Sequence, residues 1–541
     1  MTATLERRSA VLDSQHTGDI RGALGTIRLD DTAARRGGAA YLKTLLAIVG
    51  PGLIVMVGDN DAGAFATYGQ AGQNYGTRLL WTLLLLVPVL YVNQEMVLRL
   101  GAVTGVGHAR LILERFGKFW GAFSVIDLFI LNALTIITEF IGITLAAGYL
   151  GVPKIVAVAL AALVVIGTAF TGSFRRFERM AVALCGGSLL LIPIYFMAHP
   201  AATQMAHGFV TPAMPGGSGQ LATVMLLVIG IVGTTVAPWQ LFFQQSYVID
   251  KRITPRFIRY EKADLWIGIV IVVLGAGAIM GFTAAAFAGH AGGFTNAAGL
   301  AAGLQAHAGR VAGVLFAIAL LDASIIGAFA VSLSTAYAIG DVFGLKHSLH
   351  RGVKGAKGFY AIYGGLILAA AAVVLIPGSP LGLLTEGVQA LAGVLLPSAA
   401  VYLLLLCNDR EVLGPWVNGR RTNLFTGTVV TVLVALSVIL TASVIDPGLT
   451  ARQILLILAG CGGAAALGLA GVAAWRLRAG TLAAPAIDRS DRENWRMPSL
   501  ALLRRPPVPL GRKIGMTVLR SYLAVATVLV AVKIVQLAVA H

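Results

Sequence analysis

Apolar runs of about twenty residues recur along almost the whole chain, and a chain built this way folds across a lipid bilayer. A helix needs about 20 apolar residues to cross the hydrocarbon core. Thirteen runs meet that need, at 44–68, 77–100, 119–148, 153–172, 181–199, 219–247, 264–289, 310–340, 359–377, 381–407, 425–445, 453–475 and 515–540. Ten-residue segments of alternating hydropathy, the mark of a membrane barrel, are absent from the sequence. Composition agrees: 57% of the 541 residues are hydrophobic and 12% charged, against about 25% charged in soluble domains. The expected fold class is all-α integral membrane.

Charge sets the expected orientation. The net charge of +17 would suggest a nucleic-acid partner in a soluble protein, but here the positive residues gather in alternate loops. Arg110, Arg115 and Lys118 follow span 2, and Arg175, Arg176 and Arg179 follow span 4. Lys251, Arg252, Arg256, Arg259 and Lys262 follow span 6; Lys346, Arg351, Lys354 and Lys357 follow span 8; Arg410, Arg420 and Arg421 follow span 10. Residues 200–218 between spans 5 and 6 carry no Lys or Arg. By the positive-inside rule the basic loops and the N-terminus are cytoplasmic, in a cell (inner) membrane, with no nucleic-acid partner. Residues 1–43 read as a mobile basic tail without a cleavable signal peptide, 476–513 as a basic cytoplasmic loop, and 514–541 as a final span. Cys185, Cys407 and Cys461 are widely spaced in apolar segments and suggest neither a disulfide framework nor a metal motif.

Two spans depart from plain apolar helix. Span 1 contains Gly58-Asp59-Asn60-Asp61-Ala62-Gly63, and span 6 contains Gly233-Thr234-Thr235-Val236-Ala237-Pro238-Trp239-Gln240. Glycine weakens a helix, and proline removes a donor and clashes with the preceding turn. Each segment is expected to unwind near the middle of the membrane, where free carbonyls are tolerated only inside protein or around a cavity. Interruptions five spans apart, in two oppositely oriented halves, point to the midplane substrate site of a secondary transporter.

The stretch GPGLIVMVGDNDAGAFATYGQAGQNYG resembles the first helix of the Nramp metal transporters. QEMVLRLGAVTG, TEFIG and GTTVAPWQLFFQQS resemble that family's second, third and sixth helices. The resemblance implies a LeuT-type fold in which 44–200 (spans 1–5) and 219–407 (spans 6–10) are inverted five-helix repeats with discontinuous helices 1 and 6. Spans 11 and 12 (425–475) and the C-terminal span are then additions. It further implies Asp61 as principal metal ligand, with the Gly58 and Thr234 carbonyls as direct or water-bridged partners and Gln389 and Glu139 near the site. Asp59 and Asn60, on an unwound segment, would face the vestibule, with Asp59 drawing cations inward; Gln240 and Trp239 would line the path.

The sequence departs from the family's pattern in a chemically coherent way. The motif's proline and asparagine are Ala62 and Ala64 here, and the sixth-helix methionine is Ala237. A thioether favours soft ions, whereas carboxylate, carbonyl and water suit Mg²⁺, which keeps much of its water. The pattern resembles the Nramp-related magnesium transporters and implies Mg²⁺ and Mn²⁺ as transported substrates, with no cofactor. Proton coupling in the family uses a third-helix acidic pair and sixth-helix histidines. Here Glu139 stands, but Ile136, Trp239 and Gln244 occupy the other positions, so uniport is expected.

The remaining acids divide by position. Glu95 and Arg99, one turn apart, read as a structural ion pair. Asp322 and Glu386 are intramembrane acids without an assigned role, and Asp127 and Asp341, near span ends, read as solvated. Walker, HExxH and nucleophile–base patterns are missing from the sequence, which argues against an ATPase or hydrolase. Ordinary proton-coupled Mn²⁺/Fe²⁺ symport, amino-acid transport on the same fold and a non-transporting scaffold are the alternatives. A monomer is compatible with the reading.

Overall fold

The computed structural model describes residues 15–33, 35–215, 221–289, 293–377, 381–446, 449–478 and 488–503, with four isolated positions beyond. A short hairpin, β1 (Ile20–Arg21) and β2 (Thr26–Ile27), pairs Ile20 with Ile27 and precedes α1 (Gly38–Ile48). Span 1 follows as α2 (Pro51–Val57) and α3 (Ala62–Tyr75), and span 2 is α4 (Trp81–Thr104). Beyond α5 (His108–Phe116) come α6 (Lys118–Tyr149) and α7 (Lys154–Ala169). Span 5 is α8 (Phe174–Cys185) and α9 (Leu191–Ala198), joined by a 3₁₀ turn at Gly186–Leu190. After α10 (Ala202–Val210), span 6 is α11 (Leu221–Thr235) and α12 (Pro238–Asp250). Then follow α13 (Ile258–Ala286), α14 (Ala297–Ala308), α15 (Arg310–Phe343), α16 (Lys357–Leu375) and α17 (Leu381–Cys407). The short α18 (Arg410–Leu413) leads to α19 (Arg420–Ile445) and α20 (Ala451–Arg478).

Among the described residues ten helices are long and apolar enough to cross a membrane, eleven counting the bent pair α1–α2, and α7 is a shorter apolar helix. The span expected at 515–540 lies almost wholly outside the described residues. Both interruptions expected in spans 1 and 6 are present, but narrower than the sequence suggests: four residues, 58–61, and two, Val236 and Ala237. The expectation of helix from residue 44 onward misses a 57° bend between α1 and α2.

Capping from distant elements explains that bend. The last carbonyls of a helix lack intrahelical donors and the first amides lack acceptors. Lys251 Nζ donates to the carbonyls of Ile48 (2.6 Å) and Val49 (2.8 Å), while the Asp264 carboxylate accepts from the amides of Gly50, Gly52 and Leu53. Lys251 also pairs with Glu178 at 2.7 Å, both side chains fully buried. A side chain at Gly50 would strike the Glu178 carboxylate, so this close approach requires glycine.

The N-terminal segment is not the free tail the sequence suggests over its described part. Ile20, Ala23 and Ile27 are buried, and the Ala23 amide donates to Glu178. Arg252 donates to the carbonyls of Gln15 and Asp19, and Arg256 to those of Asp31 and Ala33. The loop arginines satisfy backbone carbonyls of residues 15–33, an interaction that leaves no apolar run in the sequence to announce it. Residues 1–14 lie outside the described part.

Charged pairs behave unevenly. Arg99 and Glu95 pair at 3.2 Å as expected, and Lys262 joins Glu95 at 2.9 Å. Asp341 is buried rather than solvated and meets His347 Nε2 at 3.1 Å. The loop after α15 folds back over its last turn and covers the acid. Asp127 is half-buried in α6, and the Glu386 side chain lies outside the described residues.

Candidate metal site

The first break exposes backbone on a short path between two stacked half-helices. Gly58 ends α2 with helical torsions, and Asp61, in extended geometry, caps α3 by accepting from the Ala64 amide at 2.9 Å. The carbonyls of Gly58, Asp59 and Asn60 receive no backbone N–H. In the second break Ala237 is the extended cap of α12. The Thr234 carbonyl loses its usual helical donor because residue 238 is proline, which has no N–H. Each break thus frees acceptors, and their chemistry differs. The first adds carboxylates, and the second adds only hydroxyls and carbonyls.

Neighbouring helices close the site around Asp61. Glu139 on α6 accepts from the Ala62 amide at 3.2 Å, and the Asp61 and Glu139 carboxyls lie within hydrogen-bonding reach of each other. Gly327 on α15 makes room for Glu139, since a methyl group there would meet its carboxyl. A methyl group at Gly63 would meet both the Gln389 amide and Asp61, which places Gln389 of α17 beside the cap. Gly58 lies against Trp239 and Ala330, so the two breaks face one another. Trp239 is buried, and its carbonyl accepts from Ser334.

Asp59 turns the other way. Its Oδ1 accepts from Gln240 Nε2 on α12, and Gln240 Oε1 in turn accepts from Gln94 Nε2 on α4 at 2.9 Å. Asn60 turns to a third side and donates to the Val272 carbonyl on α13. Three consecutive polar residues therefore serve three walls.

Buried polar atoms are normally paired, so those left unpaired are informative. Around the breaks they are Asp59 Oδ2, Asn60 Oδ1, Gln94 Oε1, Glu139 Oε1, Thr234 Oγ1 and Gln389 Nε2. Apart from Asn60 Oδ1, which faces another side, four of the remaining five are oxygens, two of them from acids, the donor set that a hard cation or its water shell satisfies. Among the described residues no three His, Cys, Asp or Glu side chains converge closely enough to form a protein-only metal cage. Any ion here would be held largely by carbonyls, amides and water. Ala64 and Ala237 are buried and present only methyl groups.

Sequence reasoning overlooked Gln94 and Tyr68. The Tyr68 hydroxyl bonds Thr235 Oγ1 at 2.7 Å and ties α3 to α11. Gln94 lay inside the motif QEMVLRL, where a buried amide amid apolar residues was the available signal. Gln244 is fully buried with both amide atoms unpaired.

Comparisons with known proteins converge on this architecture. Residues 52–443 match the family model described as Natural resistance-associated macrophage protein-like, Nramp. The divalent metal cation transporter MntH of Ralstonia nicotianae is 31% identical over 408 residues, covering 70% of this chain and 87% of that protein. MntH of Burkholderia ambifaria is 27% identical over 427 residues, covering 75% and 90%. The crystal structure of an Eremococcus coleocola manganese transporter superposes with a TM-score of 0.61 at 21% identity, covering 83% of this chain and 98% of that one. With the two interrupted helices five spans apart and the matched region running from the half-helix before the first break to the eleventh span, this multi-pass membrane protein, of LeuT-type fold, belongs to the Nramp family.

Proposed function

We propose that this protein imports divalent metal cations, Mg²⁺ and Mn²⁺, by alternating access at the site between the two breaks. The observation that carries the reading is the meeting of Asp61 and Glu139 beside unpaired buried oxygens, opposite a wall that offers Thr234 and a methyl group at Ala237. Membership in a family whose curated relatives are named divalent metal cation transporters supports the substrate class. The absence of a sulfur ligand at residue 237 supports hard, hydrated ions over soft ones. The basic loops support a cytoplasmic N-terminus in a cell membrane. A divalent ion entering down the potential gains roughly 4.6 kcal/mol per 100 mV, twice the value for one charge. That supports uniport, as do Ile136, Trp239 and Gln244 at positions that cannot titrate.

The contact between Asp61 and Glu139 favours one second reading, proton-coupled Mn²⁺ transport. In that reading the two neighbouring carboxyls would be the groups that exchange a proton as the metal enters. Competition between Mg²⁺, Mn²⁺ and Cd²⁺ in proteoliposomes, with an internal pH dye, tests both readings. Mg²⁺ uptake without matching acidification is the expected result. Ala237→Met should move preference toward Cd²⁺ by about tenfold, the equivalent of roughly 1.4 kcal/mol. Unchanged selectivity would remove Ala237 from the site, and strict metal-dependent acidification would decide for symport.

A further inference from the structure

Asn60 points away from the metal site into a different cavity. Its amide nitrogen is engaged by the Val272 carbonyl, while its Oδ1 is buried and unpaired. The cavity it lines measures about 10 Å³ and is bounded also by Ser188, Asp322, Val57 and Ile326. A space of that size admits a single water-sized sphere.

Asp322 is the second observation. It lies within the membrane-crossing α15, and its carboxylate has no hydrogen-bond or ion-pair partner among the described residues. A methyl group at Gly187 would coincide with that carboxylate, so the 3₁₀ turn of span 5 is pressed against it. A 3₁₀ stretch inside a helix marks a hinge or a point of strain, and this one sits beside the first break. An intramembrane carboxylate without a partner is costly enough that its occurrence signals a bound ion or a pathway.

We propose that this cavity holds one monovalent cation, coordinated by the Asp322 carboxylate, Asn60 Oδ1 and Ser188 Oγ, at a site separate from the divalent one. Charge and size both select the class. One carboxylate neutralises one positive charge, whereas a divalent ion would leave a buried excess. A hydrated Mg²⁺ needs octahedral room for several waters, which 10 Å³ does not provide. Such an ion joins span 1 to spans 5 and 8 at the point where span 1 is discontinuous, and its occupancy stabilises that arrangement.

The test uses the full-length protein in detergent, stripped of divalent metals, with thermal unfolding followed in NaCl, KCl, LiCl or N-methylglucamine chloride at equal ionic strength. A saturable rise of the midpoint by about 2 °C or more with one or more of the three metal cations is expected. The rise should vanish in Asp322→Asn, need several-fold more cation in Ser188→Ala, and persist in Glu139→Gln. Persistence in that last variant separates this site from the divalent one, so failure of either reading leaves the other standing. Equal midpoints in all four salts would overturn the proposal and leave Asp322 as a protonated acid bonded to Asn60. A rise retained in Asp322→Asn, or lost in Glu139→Gln, would overturn it as well. Should Asp322→Asn fail to fold, the wild-type response together with Ser188→Ala decides.

Discussion

The two breaks do the same thing to the backbone and different things with side chains. In span 1 the unwound residues are Gly58, Asp59, Asn60 and Asp61, and each polar side chain is claimed by a different wall. In span 6 they are Val236 and Ala237, with Thr234 unpaired and Thr235 bonded to Tyr68 and to the Ile231 carbonyl. One break brings the charge, and the other brings hydroxyls, carbonyls and a methyl group. On the proposed function, attraction of a cation and discrimination between cations would fall to different helices, which can be varied apart.

The largest expected asymmetry lies between Asp61→Asn and Thr234→Val. Removing a buried charged partner costs about 2–5 kcal/mol, roughly 30- to several-thousand-fold in metal affinity. Thr234→Val keeps the carbonyl and removes a hydroxyl, about 0.5–1.5 kcal/mol or roughly 2- to tenfold. Calorimetric titration with Mn²⁺ measures both, and equal losses would break the assignment of charge to the first helix.

Gln240 is where the second helix supports the first, because its amide nitrogen is the donor to Asp59. Gln240→Leu leaves that buried acid without its donor, at a cost of about 1–3 kcal/mol. Thermal unfolding without metal should show the loss, and Asp59→Asn in the same background should recover much of it. If the double variant is no more stable than the single one, Asp59 does not depend on Gln240. Tyr68→Phe cuts the other strut, one neutral hydrogen bond to Thr235 worth about 0.5–1.5 kcal/mol, and a smaller drop in midpoint is expected.

The smallest effect belongs far from both breaks, at the loop after α15. Burial pulls the His347 imidazole toward neutrality, but the Asp341 hydrogen bond and charge, with the Leu345 carbonyl, raise its pKa above the ordinary value of 6.5. A raised folded value means that its stabilisation is complete below about pH 6.5 and fades as pH climbs through the folded value. The difference in unfolding midpoint between wild type and His347→Gln should therefore be larger at pH 5.5 than at pH 9. The reverse order would contradict the His347–Asp341 pairing.

Much of the fold was legible in the chain because its causes are local. Runs of apolar residues set where helices cross, Pro238 cannot complete the turn before it, and glycine flanking Asp59, Asn60 and Asp61 weakens the helix on both sides. Span 5 was legible as a crossing but not as two helices joined by a 3₁₀ turn, since the Gly186–Gly187 pair is ordinary in sequence. The docking of residues 15–33 was hidden for a different reason. It is driven by loop arginines bonding backbone carbonyls, and carbonyls are the same at every residue.

Sequence alone therefore determined the kind of protein, the place of both breaks and the acids at the first, because hydropathy, proline and charge act on the nearest few residues. Only the tertiary structure decided which way each acid turns. Asp61 meets Glu139 from 78 positions along the chain and caps its own helix, Asp59 takes Gln240, and Asn60 is left with an unpaired oxygen beside Asp322. Those choices follow from donors and acceptors that distant helices bring within about 3 Å, a range over which sequence distance has no meaning.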